Sequence, residues 1–259
     1  EATRGTIGIP RVLNMYEDYP FWFTFLTKLG FRVLISEKSN RKTYEKGMES
    51  MPSESVCYPA KLSHGHIVSL IQQGVKTIFY PCIPYSRKEF AQADNHYNCP
   101  IVISYSEVLK NNVEELKDVK FLNPFLPFDA KKLVETIQDL PEFKEYKFKK
   151  RELMKAAKAA EEEYQHFKDD VQAEGQKALD YIKENNARGI VLAGRPYHSD
   201  PLIQHKISDC IADMGIDVVT EFIAGEEDVA VYRELMSVTQ WTYPNRIFKA
   251  AHYVANSPD

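Results

Sequence analysis

The sequence predicts an α/β fold of two Rossmann-like α/β lobes joined by a long helix, with the second lobe expected to be incomplete. Over residues 6–140, short apolar runs alternate with helical patterns, as in a sheet covered by helices. Residues 149–185 are dense in Lys, Glu and Ala and contain no proline, which predicts one continuous helix. Strand and helix patterns then resume. The predicted units are a cysteine-bearing lobe, a helical connector and a partial second lobe, over residues 1–145, 146–186 and 187–259.

Four apolar runs of the first lobe predict strands, at residues 6–9, 31–35, 75–80 and 120–122, whereas residues 101–104 are ambiguous. Helices are predicted over residues 20–29 and 59–73. Gly30 and Gly74 follow them, where glycine accepts the left-handed conformation of a helix end. The aromatic side chains of the first helix are expected in the core: Phe21, Trp22, Phe23 and Phe25.

The connector carries an apolar stripe at alternating steps of four and three: Leu153, Ala157, Ala160, Tyr164, Phe167 and Val171. This pattern predicts a helix packed on its own domain, and a coiled-coil arm for a partner is the alternative.

The second lobe shows two predicted strands, residues 189–193 and 217–221, where a sheet usually has about five or six. Helices are predicted over residues 201–214, 226–236 and 244–254. Cys210 is expected to pack, because it shares an apolar helix face with Ile207, Ile211 and Met214. The short second sheet leads us to expect a fragment of a longer polypeptide.

The composition narrows the classes of function. The chain has 259 residues, 44% of them hydrophobic, and a net charge of -4 with basic and acidic residues interspersed, so a nucleic-acid partner is not expected. No apolar stretch is long enough for a membrane span and no signal-peptide pattern is seen, which predicts a cytoplasmic protein. Four cysteines are too few for a disulfide scaffold, which leaves metal binding, catalysis or packing.

Three cysteines lie within two residues of a proline, in Cys57-Tyr58-Pro59, Pro81-Cys82-Ile83-Pro84 and Cys99-Pro100. Cys57 precedes a predicted helix, whose free N–H groups and macrodipole favour a thiolate. Cys82 follows a predicted strand at its carboxyl end, where open α/β sheets collect ligands. Cys99 reaches the same place only if residues 101–104 run antiparallel to that strand or are not a strand. We expect the three thiols to converge on a metal centre.

The spacing does not identify the metal. An iron–sulfur cluster held by three cysteines would leave one iron for another ligand. Zinc could instead be completed by His64, His66 or His96, and three unconnected buried thiols are the remaining interpretation.

Several segments resemble an uncharacterised domain of large anaerobe proteins, which is fused there to acyl-CoA dehydratase activase modules. They are Ile7-Gly8-Ile9-Pro10-Arg11-Val12-Leu13-Asn14, Pro52-Ser53-Glu54-Ser55-Val56-Cys57-Tyr58-Pro59, Phe79-Tyr80-Pro81-Cys82-Ile83-Pro84-Tyr85, Asp94-Asn95-His96-Tyr97-Asn98-Cys99-Pro100, Ala193-Gly194-Arg195-Pro196-Tyr197-His198 and Gln240-Trp241-Thr242-Tyr243.

The resemblance implies a relation to 2-hydroxyacyl-CoA dehydratase subunits and double-cubane cluster proteins, in which cysteines hold a 4Fe-4S cluster between α/β halves. It implies Cys57, Cys82 and Cys99 as cluster ligands. It also implies an ATP-hydrolysing activase module as partner, in the same or another chain, and a sequence that continues past residue 259. Any enzyme activity would be that of a dehydratase-like lyase or its reductive activation. No phosphate loop is found here, so ATP is not expected on this segment.

Other residues are weaker candidates. Glu54, His66 and His198 are candidates for proton transfer. Helix periodicity places His64 and His66 on different faces, so at most one is expected at the site. Arg195 and His198 follow a predicted strand, where a CoA phosphate could bind.

The expected function is 4Fe-4S electron transfer in an acyl-CoA dehydratase system. The alternatives are a scaffold domain with structural zinc and a metal-free acyl-CoA-binding lobe.

Overall fold

The structure is a computed structural model that describes residues 2–91, 93–224 and 241–257. Within them, no helix is both long enough and apolar enough to cross a membrane. The predicted helix over residues 226–236 lies outside the described residues, as does Gln240.

Four parallel strands form the larger sheet, in the order β2-β1-β3-β4. They are β1 (Thr6–Ile9), β2 (Arg32–Ile35), β3 (Thr77–Phe79) and β4 (Lys120–Leu122). The chain leaves β1 for β2 on one side and passes from β3 to β4 on the other, so the direction of winding reverses between β1 and β3. The carboxyl ends of all four strands meet at one edge, which we call the carboxyl edge. The α/β fold and the four predicted strands are confirmed.

Helices cover both faces of this sheet and continue beyond it. They are α1 (Met15–Lys28), α2 (Arg41–Gly47), α3 (Tyr58–Gln72), α4 (Pro100–Asn112), α5 (Ala130–Asp139), α6 (Lys150–Glu184), α7 (Pro201–Gln204), α8 (Ile207–Asp213) and α9 (Thr242–Asn256). Gly30 and Gly74 have positive φ at the ends of α1 and α3, as predicted. Phe21, Trp22 and Phe25 are buried in the core, but Phe23 is 39% exposed, so its core prediction is wrong.

The ambiguous residues 101–104 belong to helix α4, not to a strand. Their run of apolar and β-branched residues is short, and tertiary packing of Val102, Tyr105 and Leu109 decides the conformation. This helix determines where Cys99 lies. In a parallel sheet, the helix between two strands begins at the carboxyl edge, so Cys99 lies there just before α4.

Two helices of the first lobe approach each other unusually closely. A Cβ atom on Gly65 in α3 would lie 1.7 Å from the carbonyl oxygen of Thr43 in α2. A Cβ on Gly47 would lie 2.3 Å from the backbone nitrogen of Gly65. Only glycine permits this contact, which fixes α2 against α3 near its N-terminal half.

The long helix is confirmed as α6, within one residue of the predicted bounds at each end. Its first half buries Leu153, Ala157, Ala160 and Tyr164 against α1 and α5. Its second half contacts β5 (Arg188–Val191) and β6 (Ile216–Val219), the two parallel strands of the smaller sheet. The connector therefore packs on the first lobe along its first half and supports the second sheet along the rest.

The predicted helix over residues 201–214 is two short helices, α7 and α8. His205 and Lys206 between them adopt left-handed backbone conformations, with φ of 54° and 58°, and this interrupts the helix. Ile207 and Met214 are 47% and 73% exposed, and Cys210 is exposed as well. The prediction that Cys210 packs in an apolar interior is wrong, because Cys210, Ile207 and Met214 are all exposed on α8.

A buried network of charges joins the last helix to the first. Arg246 of α9 forms two hydrogen bonds to Glu17 of α1, at 2.6 and 2.7 Å, and two to Glu89, at 2.5 and 2.6 Å. The Tyr164 hydroxyl of α6 donates to Glu17 at 2.6 Å. Although burial raises the pKa of Glu89, the charges of Arg246 and Lys168 outweigh it and hold that pKa at about 2. Each buried charge of this network has an opposite partner.

Candidate functional site

The three predicted cysteines all lie at the carboxyl edge of the larger sheet. Cys57 and Cys99 are the N-cap residues of α3 and α4, each followed by a proline in the first helical turn. Cys82 lies three positions beyond the end of β3, and its N–H donates to the carbonyl of Pro124 at 2.8 Å. The first turn of each helix has N–H groups without intrahelical partners, and its macrodipole favours negative charge there. Cys57 and Cys99 therefore each lie at the N-terminus of a helix on the same edge of the sheet.

Cys82 is in a different environment. Its side chain is fully buried, and its sulfur lies 2.9 Å from the hydroxyl oxygen of Ser106 in α4. Burial raises the pKa of the Cys82 thiol, and the hydrogen bond with Ser106 only partly opposes this. Ser106 lies seven positions after Cys99, a rise of about 10 Å along the helix. In this conformation Cys82 is a neutral thiol that faces the second turn of α4.

Two tyrosines connect the cysteines electrostatically. Burial raises the pKa of Tyr105 to about 12, and Cys57 contributes to the rise. Burial also raises the pKa of Tyr197 to about 12, where Arg195 acts against the shift and Cys99 and Cys57 add to it. Tyr197 is 8% exposed and belongs to the 196–200 turn, which follows β5. The second lobe thus brings a buried phenol within electrostatic reach of both helix-capping cysteines.

His64 lies behind this group in a directed chain of hydrogen bonds. The Ser50 hydroxyl donates to the carbonyl of Gly47 at 3.0 Å, so it must accept from His64 Nδ1–H at 2.8 Å. His64 Nε2 then accepts from the Tyr105 hydroxyl at 3.0 Å. Burial lowers the pKa of His64 to about 4, which keeps it neutral. His64 therefore orients Tyr105 and has no lone pair left for a metal.

His66 points to a different group of residues, as the helix periodicity predicts. Its two ring nitrogens lie 2.7 Å from the Ser36 hydroxyl and 2.8 Å from the Ser39 hydroxyl. Burial lowers the pKa of His66 to about 4. Both nitrogens are occupied, so the His66 side chain is not presented to the cysteines.

The remaining candidates lie at or near the surface. Glu54 is exposed, and its carbonyl accepts from Lys61 Nζ at 2.6 Å. The His96 ring lies against Tyr85, with centroids 5.3 Å apart. His198 is exposed, and its Nδ1 accepts from the N–H of Arg195 at 3.0 Å. Burial lowers the pKa of His198, so its neutral form is favoured.

The three cysteines can hold a metal only if their donor atoms suit it and lie close enough together. Three thiols at one sheet edge, two of them at helix N-termini, are the donors that iron–sulfur clusters take. However, residues 2–91, 93–224 and 241–257 contain no group of three or more His, Cys, Asp or Glu side chains close enough to hold a metal ion. Ligation by all three cysteines therefore requires their sulfur atoms to move closer together, and the Cys82 sulfur is at present in contact with Ser106.

The sequence alone did not single out Tyr105, Ser106, Tyr197 or Arg11 as parts of this edge. Tyr197 and Arg11 lie inside motifs that the sequence analysis quotes, so a signal was present for them. Tyr105 and Ser106 become visible only once residues 100–112 are known to form a helix.

The fold and the site define an open parallel α/β domain with thiols at its carboxyl edge, beside a turn from a second, smaller α/β unit. The chain belongs to the family described as CoA enzyme activase uncharacterised domain (DUF2229), whose model matches residues 6–223. This match confirms the resemblance to an activase-related domain. No curated protein and no solved structure is significantly similar to the chain.

Proposed function

We propose that this domain binds a 4Fe-4S cluster through Cys57, Cys82 and Cys99 and serves electron transfer in a CoA enzyme activase system. The observation that supports this most directly is the position of Cys57 and Cys99 as N-cap residues of two helices that begin at one sheet edge. When bound, such a cluster would accept and pass on single electrons. Family membership supports an activase module, in the same or another chain, as the partner that supplies them.

The residues of the chain have separate roles in this proposal. The N-terminal turns of α3 and α4 place Cys57 and Cys99 at one edge. The buried phenol of Tyr197 lies within electrostatic reach of both. Cys82 is the third ligand and must first give up its contact with Ser106. Neutral His64 holds the Tyr105 hydroxyl in place.

Anaerobic reconstitution with iron and sulfide tests the proposal. Wild-type protein is expected to bind about four iron atoms and to gain broad visible absorbance. Cys57→Ser and Cys99→Ser are expected to lose both signals. Cys210→Ser is the matched control, because Cys210 is exposed on α8 and is expected to have no effect. Iron content equal to wild type in a variant with all three of Cys57, Cys82 and Cys99 changed to serine would contradict the proposal.

Zinc bound at one equivalent, with a raised melting temperature, would favour a scaffold with structural zinc instead.

A metal-free acyl-CoA-binding lobe is the second candidate. The Arg195 guanidinium is half-buried and forms no ion pair with any described residue, so it is free to receive a phosphate. Titration of the metal-free protein with coenzyme A, compared between wild type and Arg195→Ala, separates this candidate from cluster binding. Saturable binding that the substitution abolishes would support it.

A further inference from the structure

Arg11 lies where an open α/β sheet binds its ligands. It follows the end of β1 by two residues, at the carboxyl edge. Its N–H donates to Ser36, one residue past the end of β2, so Arg11 lies on the β2 side of β1 at the edge where open α/β sheets bind their ligands.

The guanidinium of Arg11 has no anionic partner among the described residues. Its Nε atom is completely buried and has no hydrogen-bond acceptor. Arg87 and Arg246 are different, because Arg87 pairs with Asp18 at 3.2 Å and Arg246 pairs with Glu17 and Glu89. A buried N–H group without a hydrogen-bond acceptor costs free energy of folding. The unpaired Nε–H of Arg11 therefore needs an explanation.

The side chain is held in position by its surroundings. The N–H of Arg11 donates to the Ser36 hydroxyl at 2.7 Å. Its guanidinium carbon lies 5.4 Å from the centre of the Tyr16 ring, and the Tyr16 hydroxyl donates in turn to Asp200. The cation is therefore fixed over an aromatic face before any ligand arrives.

The nearest acidic group is already engaged. Asp200 is fully buried, and its Oδ1 accepts from the N–H groups of Leu202 and Ile203 at 2.8 and 3.2 Å, while Oδ2 accepts from Tyr16. It forms no ion pair with Arg11 at 4.0 Å or less. Asp200 thus holds the Tyr16 ring against the Arg11 guanidinium. The N–H donors of that guanidinium are left without an anionic partner among the described residues.

We propose that Arg11 binds the oxyanion of a small ligand, with a carboxylate as the matched group, at the carboxyl edge beside the ends of β1 and β2. A guanidinium presents two parallel donors that fit the two oxygens of a carboxylate, and phosphate shares this oxyanion chemistry. The single positive charge of Arg11 matches the single charge of a carboxylate. This binding does not require a cluster and goes beyond the proposed function.

The test uses the metal-free chain and nuclear magnetic resonance of the arginine Nε–Hε groups. Succinate and inorganic phosphate are titrated separately, and the Arg11 signal is identified by its loss in Arg11→Lys. A saturable shift of that signal is expected, with a dissociation constant on the order of 1 mM for succinate. In the variants, binding is followed by backbone amide shifts, which do not need the Arg11 side chain. Arg11→Gln is expected to weaken binding about 10- to 100-fold, and Arg11→Lys by less, because it keeps the charge but not the fork.

Arg32→Gln is the matched control, since Arg32 is exposed at the opposite edge of the sheet and loses the same charge. It is expected to bind succinate like wild type. Saturation by phosphate alone would assign the oxyanion to a phosphate group. No saturation by either anion up to about 50 mM, or equal affinity in the folded Arg11→Gln variant, would overturn the proposal. Because no metal is present, failure here says nothing about cluster binding.

Discussion

The two sheets of this molecule are built from the same parallel pairing, yet they differ in how completely they are covered. β1 and β3 bury Ile7, Ile9, Ile78 and Phe79 almost completely beneath helices. In the smaller sheet only Val219 is buried, and Ile190 is 39% exposed. A two-stranded sheet has too little apolar surface to stabilise itself. The second lobe is therefore held by its attachments to the first: α6, the 196–200 turn and Arg246.

The largest expected effect comes from removing the attachment through Arg246. In Arg246→Met, the buried carboxylate of Glu17 loses its cation and Glu89 keeps only Lys168, so the free energy of unfolding should fall by about 3 to 5 kcal/mol. Urea unfolding measures this loss. Lys177→Met is the control, because it breaks only an exposed pair with Glu174 and should leave the free energy of unfolding nearly unchanged. A loss below about 1 kcal/mol for Arg246→Met would mean that the network does not stabilise the fold.

The same contrast explains how much the sequence could predict. The first lobe has strands and helices whose apolar residues are deeply buried, and its four strands were placed correctly. The stripe of α6 was equally clear. The second lobe exposes Ile207 and Met214, so the apolar pattern around Cys210 no longer indicates burial. The break at His205 and Lys206 has no local signal, since neither residue favours a left-handed conformation as glycine does.

The sequence predicted that the cysteines lie at the carboxyl edge, but not how their side chains are arranged there. Capping by Cys57 and the exit of Cys82 from a strand could be read from neighbouring residues. The position of Cys99 depended on whether residues 101–104 were helix or strand, a choice that packing of α4 decides. The contact of Cys82 with Ser106 joins residues from two elements, and no local pattern encodes it.

Two glycines test the difference in packing between the lobes. Gly65→Ala places a Cβ 1.7 Å from a backbone oxygen of α2, which cannot move without shifting the helix. We expect a loss of about 3 kcal/mol in the free energy of unfolding. Gly175→Ala in the second half of α6 meets only the Cγ2 methyl group of Ile223, at 2.8 Å. There the gain in helix propensity, up to about 1 kcal/mol, should offset the contact. Equal losses in both variants would show that the two regions are equally rigid.

The smallest expected effect is an acid sensitivity that originates in the first lobe. Burial lowers the pKa of His66 to about 4, from an ordinary value of about 6.5. Between these pH values the unfolded chain binds a proton that the folded chain does not, so stability falls as the pH is lowered from about 6.5 to about 4. At pH of about 4, His66 should have lowered the free energy of unfolding by about 2 to 3 kcal/mol, since one pKa unit is about 1.4 kcal/mol.

The measurement is the free energy of unfolding against pH for wild type and His66→Gln. The difference between the two proteins should shrink as the pH falls through this window, because only the wild type carries the buried imidazole. His166→Gln, at an exposed position of α6, should follow the wild-type profile. A constant difference between wild type and His66→Gln would show that His66 is protonated equally in both states. Burial of the imidazole between Ser36 and Ser39 would then not exclude its charge, and the first lobe would be more open to water than its packing indicates.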